Sequence, residues 1–246
     1  MEDLSGGAAA GYLAVSQDWI ARKPPSVSHQ VMAAVPCAYL TAWQALVQKA
    51  GLKKGQKILV YGASGGVGTA AVQIARYLGA GITAVSSKRN TAYCLQQGAH
   101  QALTYDEGDF SRDVVQDYDV FFQVHVLSGS LYPVAKKVLK PAGVFVTLDP
   151  GPVSQIRSLA SYIWPGPSFR NLLVKSGKEN LSQLARLAGE GVLRPFPQQI
   201  LPLDDIRQAH EQLESGHTTG KVVLVIPDSL DGAEKGEVSE ENTSRG

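Results

Sequence analysis

The sequence is poor in three features that define whole classes of protein. It has only two cysteines in 246 residues, Cys37 and Cys94, and no Cys-x-x-Cys pair, which argues against a disulfide framework and indicates a reducing compartment. No apolar run approaches the roughly 18 residues of a membrane-spanning helix, and the acidic N-terminus is unlike a secretory signal. The formal net charge of +1 gives no reason to expect a nucleic-acid partner. These absences predict a soluble, cytoplasmic protein with no nucleic-acid partner and no membrane span.

The middle of the chain alternates short apolar runs with segments of helical spacing. Strands are predicted at 57–61, 82–85, 102–104, 119–124 and 143–148, and helices at 66–78, 89–97 and 131–139. The strands are continuous apolar runs, as expected where both faces of a sheet are covered. The succession of strand, helix and strand predicts the α/β class with a doubly wound parallel sheet, the Rossmann arrangement.

The flanking segments are less regular. The pattern predicts one short strand before Pro24, helices at 31–50, 180–188 and 204–214, and a final strand at 221–226. Residues 151–180 carry three prolines and give no assignment. Residues 228–246 hold six acidic and two basic residues with almost no apolar ones, which predicts a disordered tail.

The first predicted strand breaks into a glycine-rich turn, ILVYGASGGVG at 58–68. Two fingerprints overlap there: A-x-G-x-x-G from Ala63 and G-x-x-G-x-x-G from Gly62. Glycine lets the backbone approach a pyrophosphate, while free N–H groups and the helix dipole at the helix start attract it. Because the turn lies between a buried strand and a helix, it predicts dinucleotide binding rather than a structural corner.

The end of the second strand indicates which dinucleotide. An NAD-binding turn has an acidic residue about 20 positions on, to accept from the ribose 2′-hydroxyl. Here the strand runs into Ser86, Ser87, Lys88 and Arg89 instead. Hydroxyls and cations suit a 2′-phosphate, so NADP(H) is the predicted cofactor, although a solvated basic loop is the alternative.

Five stretches carry a resemblance to one enzyme family. They are AAVPCAYLTAWQAL, GLKKGQKILVYGASGGVGTAAVQIARYLGA, QQGAH, TLDPGP and GHTTGKVVLVI. Together they resemble the medium-chain dehydrogenase/reductase superfamily in its zinc-free quinone oxidoreductase branch, and TLDPGP resembles the plant chloroplast-envelope homologues. The resemblance runs from about residue 6 to residue 227.

The resemblance implies a domain division. Family members carry a GroES-like, β-rich barrel before the cofactor domain, and the resemblance implies that this sequence matches only the last part of that barrel. The implied division is a barrel remnant at 1–35, an NADP-binding Rossmann domain at 36–180, a segment at 181–227 that returns to the barrel part, and the acidic tail at 228–246.

The resemblance and the motifs together give a set of cofactor contacts and leave the catalytic residues unknown. The glycine turn lies along the pyrophosphate, and the end of the second strand faces the 2′-phosphate. The resemblance implies that Tyr105 sits beside the adenosine and that Thr41 lies near the nicotinamide, where residues 149–151 pass by. Lys221 either approaches the cofactor phosphates or caps a strand. The full set is Thr41, Ser64, Gly65, Gly66, Val67, Ser86, Ser87, Lys88, Tyr105, Asp149, Gly151 and Lys221.

Three further features resemble functional motifs, and we interpret each of them as non-functional. Cys37 falls where zinc-dependent relatives place a metal ligand, but catalytic zinc needs three protein ligands, so we predict no metal. Tyr132 and Lys136 form the Y-x-x-x-K pattern of short-chain reductases, which we interpret as coincidence. His125 follows a strand at its carboxyl end and is more often a structural residue than a functional one.

The predicted function is the NADPH-dependent reduction of a small molecule, either a quinone or the activated double bond of an α,β-unsaturated carbonyl. The alternative is a non-catalytic NADPH-binding protein, a sensor or shortened pseudoenzyme. A homodimer is the predicted assembly.

Overall fold

The computed structural model describes residues 10, 12–114, 117–124, 129–161, 163, 165–214 and 218–226. His125 and the predicted acidic tail lie outside the described residues. No helix in these ranges is both long and apolar enough to cross a bilayer.

The centre of the fold is a six-stranded sheet with the strand order β3-β2-β1-β4-β5-β6. Every neighbouring pair is parallel. The order reverses between β1 and β4, and sheets of this kind bind ligands at such a switch point, beyond the carboxyl ends of the strands. The strands are β1 (Lys57–Tyr61), β2 (Gly81–Ser86), β3 (Gln101–Thr104), β4 (Tyr118–Gln123), β5 (Leu139–Thr147) and β6 (Ser168–Asn171).

Helices cover both faces of this sheet. Successive strand residues point to opposite faces, so Ile58 and Val60 join one core while Leu59 and Tyr61 join the other. The first core receives α2, α3 and α7, and the second receives α5. The doubly wound α/β fold is therefore confirmed. The helices are α1 (His29–Ala33), α2 (Val35–Trp43), α3 (Gly66–Tyr77), α4 (Thr91–Gln97), α5 (Tyr132–Val138), α6 (Pro152–Ala160), α7 (Lys178–Gly189) and α8 (Ile206–Glu214).

The N-terminal region differs from its prediction. Residues 12–16 form no strand and lead into a short 3-10 turn at Gln17–Trp19, because no strand among the described residues pairs with them. The single helix predicted at 31–50 is divided: Pro36 lies in the first turn of α2 and lacks the N–H that would continue α1. A π-helical segment at Gln44–Lys49 follows α2.

Two strands lie apart from the large sheet. β7 (Pro197–Pro202) and β8 (Lys221–Val225) form a two-stranded parallel sheet, and α1 packs against both. Immediately before β8, Gly220 forms an isolated bridge with Gly65. The C-terminal strand pair is thereby tied to the glycine turn. The domain boundaries proposed from the resemblance stay a prediction.

Candidate cofactor site

The glycine turn links β1 to α3 at the switch point. Gly62 has a φ of 84°, in the left-handed region that favours glycine. A Cβ on Gly68 would lie 2.1 Å from the Gly62 carbonyl oxygen, so the helix packs against the strand more closely than any side chain allows. Gly65, the N-cap of α3, provides no side-chain cap. The first N–H groups of α3 are thus open to an external acceptor.

Lys221 reaches this turn from the last strand. The Gly220 N–H donates to the Ser64 carbonyl at 2.9 Å, which fixes the backbone beside the turn. A Cβ on Gly66 would lie 2.4 Å from Lys221 Cδ, so the lysine stem lies across the start of α3. A helix N-terminus and a lysine together favour an anion. The residues of the turn therefore fit the pyrophosphate of a dinucleotide.

Asn90 joins the turn to the end of β2, and sequence reasoning missed it. Its side-chain amide donates to Ser64 Oγ and to Ser87 Oγ, both at 3.1 Å. Two residues predicted for different parts of the cofactor are thus held by one side chain. The feature of the sequence that could have identified Asn90 is its position just after the serine and lysine cluster, at the N-cap of α4.

Ser86 and Ser87 differ in their surroundings. Ser86 is fully buried, and its hydroxyl donates to the Ser87 carbonyl at 3.1 Å. Its predicted contact with cofactor would require this hydroxyl to turn outward. Ser87 is 8% exposed and shares Asn90 with Ser64, so its hydroxyl lies nearer the turn.

Lys88 has acidic neighbours that the sequence pattern did not indicate. The Asp106 carboxylate accepts from the Lys88 N–H at 3.0 and 3.2 Å, and Glu107 forms an ion pair with Lys88 Nζ. The ion pair raises the pKa of Lys88, chiefly through its hydrogen bond with Glu107. The cationic end of β2 is thus faced by two carboxylates that follow β3.

Tyr105 lies at the carboxyl end of β3, next to these groups. Its N–H donates to the Ser86 carbonyl at 3.1 Å, and its ring is 5.7 Å from the ring of Tyr61. The side chain is 44% exposed. It is therefore available to a ligand at the end of β2.

The residues predicted for the nicotinamide end have local partners. Thr41 is buried, and its hydroxyl donates to the Cys37 carbonyl at 2.7 Å. The Asp149 carboxylate accepts from the Ser154 hydroxyl at 2.5 Å and from the Gly151 N–H at 2.9 Å, and these bonds lower its pKa. Within the described ranges, no hydrogen bond links Thr41, Asp149 or Gly151 to the glycine turn. Their contact with the cofactor stays a prediction.

The short-chain reductase pattern lacks the geometry of an acid. The Tyr132 hydroxyl donates to the Pro167 carbonyl at 2.9 Å, and Lys136 Nζ lies over the tyrosine ring, 5.3 Å from its centre. Burial raises the pKa of Tyr132, whereas a catalytic tyrosine needs a lowered one. Tyr132 also packs in the core opposite to that of α3. The interpretation as coincidence agrees with this arrangement.

Among the described residues, Cys37 does not belong to a cluster of side chains that could bind a metal ion. The thiol is exposed, and no group of three or more His, Cys, Asp or Glu side chains gathers among the described residues. The absence of a metal site stays a prediction.

The chain is similar to known oxidoreductases in sequence. The model of a family described as "Zinc-binding dehydrogenase" matches residues 97–224, which is more than half of the chain. The chain is 31% identical over 239 residues to the chloroplast envelope quinone oxidoreductase homolog of Arabidopsis thaliana, covering 91% of this chain and 70% of that protein. It is 28% identical to NAD(P)H oxidoreductase RTN4IP1, mitochondrial, of Mus musculus, covering 89% of this chain and 61% of the relative.

Other relatives are much longer, and solved structures share the fold. The spectinabilin polyketide synthase system protein NorB of Streptomyces orinoci is 32% identical over 225 residues, which is 86% of this chain and 10% of that protein. The chain thus spans less than two thirds of several relatives it matches. The quinone oxidoreductase from Coxiella burnetii superposes with a TM-score of 0.73 at 30% identity, covering 82% of this chain and 62% of that one. Taken with the parallel sheet and the glycine turn, these matches show that the chain belongs to the medium-chain dehydrogenase/reductase superfamily, whose members bind NAD(P)H, in its quinone oxidoreductase-like branch.

Proposed function

We propose that the chain is an NADPH-dependent oxidoreductase that reduces quinones or the activated double bond of α,β-unsaturated carbonyls. The observation that carries this proposal is the convergence of Lys221, Asn90 and the open N-terminus of α3 on the glycine turn. The quinone oxidoreductase names of the Arabidopsis and Coxiella relatives support the substrate class.

The chain's own residues bind and orient the cofactor. The N–H groups at the start of α3 and the Lys221 ammonium would hold the pyrophosphate, and Asn90 would orient the Ser64 and Ser87 hydroxyls that are predicted to face the cofactor. The exposed ring of Tyr105 would offer a face to the adenosine. The cofactor supplies the hydride, and holding it in a fixed orientation near the substrate lowers the entropic part of the barrier.

NADPH oxidation followed at 340 nm, with 9,10-phenanthrenequinone or a 2-alkenal as acceptor, tests this function. We expect oxidation that depends on both the protein and the acceptor. Saturable NADPH binding without turnover on either acceptor would contradict the enzymatic function and support the second candidate below.

The second candidate is NADPH binding without catalysis. A substrate cleft needs apolar walls that exclude water. In the segment proposed as the barrel remnant, however, four large apolar side chains are exposed to solvent instead of lining an enclosed cleft. They are Tyr12 (73%), Leu13 (56%), Val15 (41%) and Ile20 (50%). A sensor that only binds cofactor needs no such wall.

We also propose a homodimer in which a second copy covers α6. Val153, Ile156 and Leu159 recur at helical spacing on α6 and are more than half exposed, and β6 beside it is one of the two edge strands of the six-stranded sheet. Light scattering should give twice the chain mass, and Ile156→Lys should give a monomer while Leu213→Lys on α8 does not. A wild-type monomer at high concentration would refute the dimer.

The cytoplasmic location remains our prediction. The mouse relative is named as mitochondrial and a spinach relative as chloroplastic. Imaging of a tagged chain would locate the protein directly.

A further inference from the structure

Lys88 is the residue predicted to face the cofactor 2′-phosphate, and two carboxylates already accept hydrogen bonds from its backbone N–H and from its ammonium. Asp106 accepts from its backbone N–H, and Glu107 accepts from its ammonium. Thr104 Oγ1 lies 3.4 Å from the second oxygen of Glu107, which helps to fix that side chain. These contacts join residues that are 18 and 19 positions apart in the chain.

The carboxylates change the charge that a cofactor meets at the end of β2. Lys88 and Arg89 contribute two positive charges, and Asp106 and Glu107 contribute two negative ones, so the cluster has no net charge. A phosphate monoester carries about −1.5 to −2 at neutral pH. It would be repelled by the two carboxylates, whereas a neutral 2′-hydroxyl would not.

We infer that Glu107, assisted by Asp106, limits the selectivity of this chain for NADPH over NADH. Glu107 competes with the 2′-phosphate for the Lys88 ammonium, and Asp106 adds repulsion beside the Lys88 N–H. This inference rests on the proposed cofactor site and concerns how the site discriminates between its two ligands. Glu107 is therefore a specificity-determining residue, and it takes no part in the chemical step.

The ion pair is exposed, which makes the inference testable without loss of the fold. The Lys88 and Glu107 side chains are 70% and 47% exposed, and exposed pairs stabilise a fold by at most about 1 kcal/mol. Glu107→Gln keeps the shape of the side chain and removes its charge. If the free energy of the Lys88–Glu107 ion pair becomes available to the interaction between Lys88 and the 2′-phosphate, the affinity for NADPH changes about two- to fivefold.

The experiment measures the dissociation constants of NADPH and NADH by fluorescence titration of the wild type and of Glu107→Gln. We expect NADPH to bind about two- to fivefold more tightly to the variant and NADH to bind equally to both proteins. Asp106→Asn should act in the same direction. Glu190→Gln is the matched control, because it removes a carboxylate from another exposed ion pair, that with Arg186 at the end of α7.

A further variant tests whether Glu107 acts on NADPH binding through Lys88. In a Lys88→Met background, Glu107→Gln should change the NADPH constant less than it does with Lys88 present, because the competition for the ammonium is gone and only the repulsion between the carboxylate and the 2′-phosphate remains. An unaltered NADPH-to-NADH ratio in Glu107→Gln, or an equal shift for both cofactors, would overturn the inference while the cofactor site stands. Failure of the wild type to bind either cofactor would instead overturn the proposed function.

Discussion

The N–H of Gly220 donates a hydrogen bond to the carbonyl of Ser64 at 2.9 Å. This bond ties the segment before β8 to the turn that follows β1, and it places Lys221 over the start of α3. A strand far along the chain thereby supplies a cation to the glycine turn.

Lys221→Met should weaken NADPH and NADH binding about equally, because the pyrophosphate is common to both. Loss of one charge-assisted hydrogen bond predicts about a tenfold rise in both dissociation constants. Fluorescence titration measures the change, and Lys178→Met on α7 is the control. If Lys221→Met binds both cofactors as tightly as the wild type, Lys221 does not hold the pyrophosphate and only caps the strand.

Gly68→Ala should destabilise the fold by about 3 kcal/mol, since the new Cβ would lie 2.1 Å from the Gly62 carbonyl oxygen and α3 would have to move away from β1. Urea unfolding gives the free energy. Gly177→Ala is the matched control, because a Cβ there meets no atom within 4 Å. Equal stability of both variants would show that α3 does not need this close approach.

Asp149 should contribute a pH-dependent part of stability. Its carboxylate accepts from Ser154 and Gly151, so its folded-state pKa lies below its unfolded value of about 3.9. Its contribution is therefore present above the unfolded pKa and is lost as the pH falls through the folded pKa.

Asp149→Asn should accordingly lower the urea midpoint at neutral pH and reduce its fall on acidification below about pH 4. A wild-type slope retained in Asp149→Asn would refute the pH-dependent contribution of these two hydrogen bonds to stability.

Tyr132→Phe should leave turnover and cofactor binding unchanged. It should cost about 1 kcal/mol of stability, because the Pro167 carbonyl loses its donor. Steady-state kinetics and urea unfolding measure the two effects, and Lys136→Met should likewise retain activity. A hundredfold or greater loss of turnover in both variants, with NADPH still bound, would restore the tyrosine as a catalytic acid.

The sequence was most informative where a local pattern decides the structure. The apolar run of β1 and the glycine spacing of α3 specify strand, turn and helix within a few residues, and both elements formed where they were predicted. Residues 151–180 gave no assignment because their prolines break the apolar period. They hold α6, which begins at Pro152, and β6, which lies at one edge of the sheet.

The missed parts of the site depend on distant residues. Asp106 and Glu107 reach Lys88 only because β2 and β3 are neighbours that end together, with Ser86 paired to Thr104. Their acidic pair belongs to a loop that shows no motif of its own. The short N-terminal strand was wrong for a related reason, since a strand needs a partner that the local alternation of residues cannot provide.

Equilibrium titration of the wild-type chain with NADPH tests the central claim most directly, that the glycine turn with Lys221 and Asn90 holds this cofactor. Cofactor fluorescence should rise to saturation at one NADPH per chain, with a dissociation constant in the micromolar range, about 1–100 μM. Absence of saturable binding up to about 1 mM NADPH, in a chain whose circular dichroism shows it folded, would contradict the account.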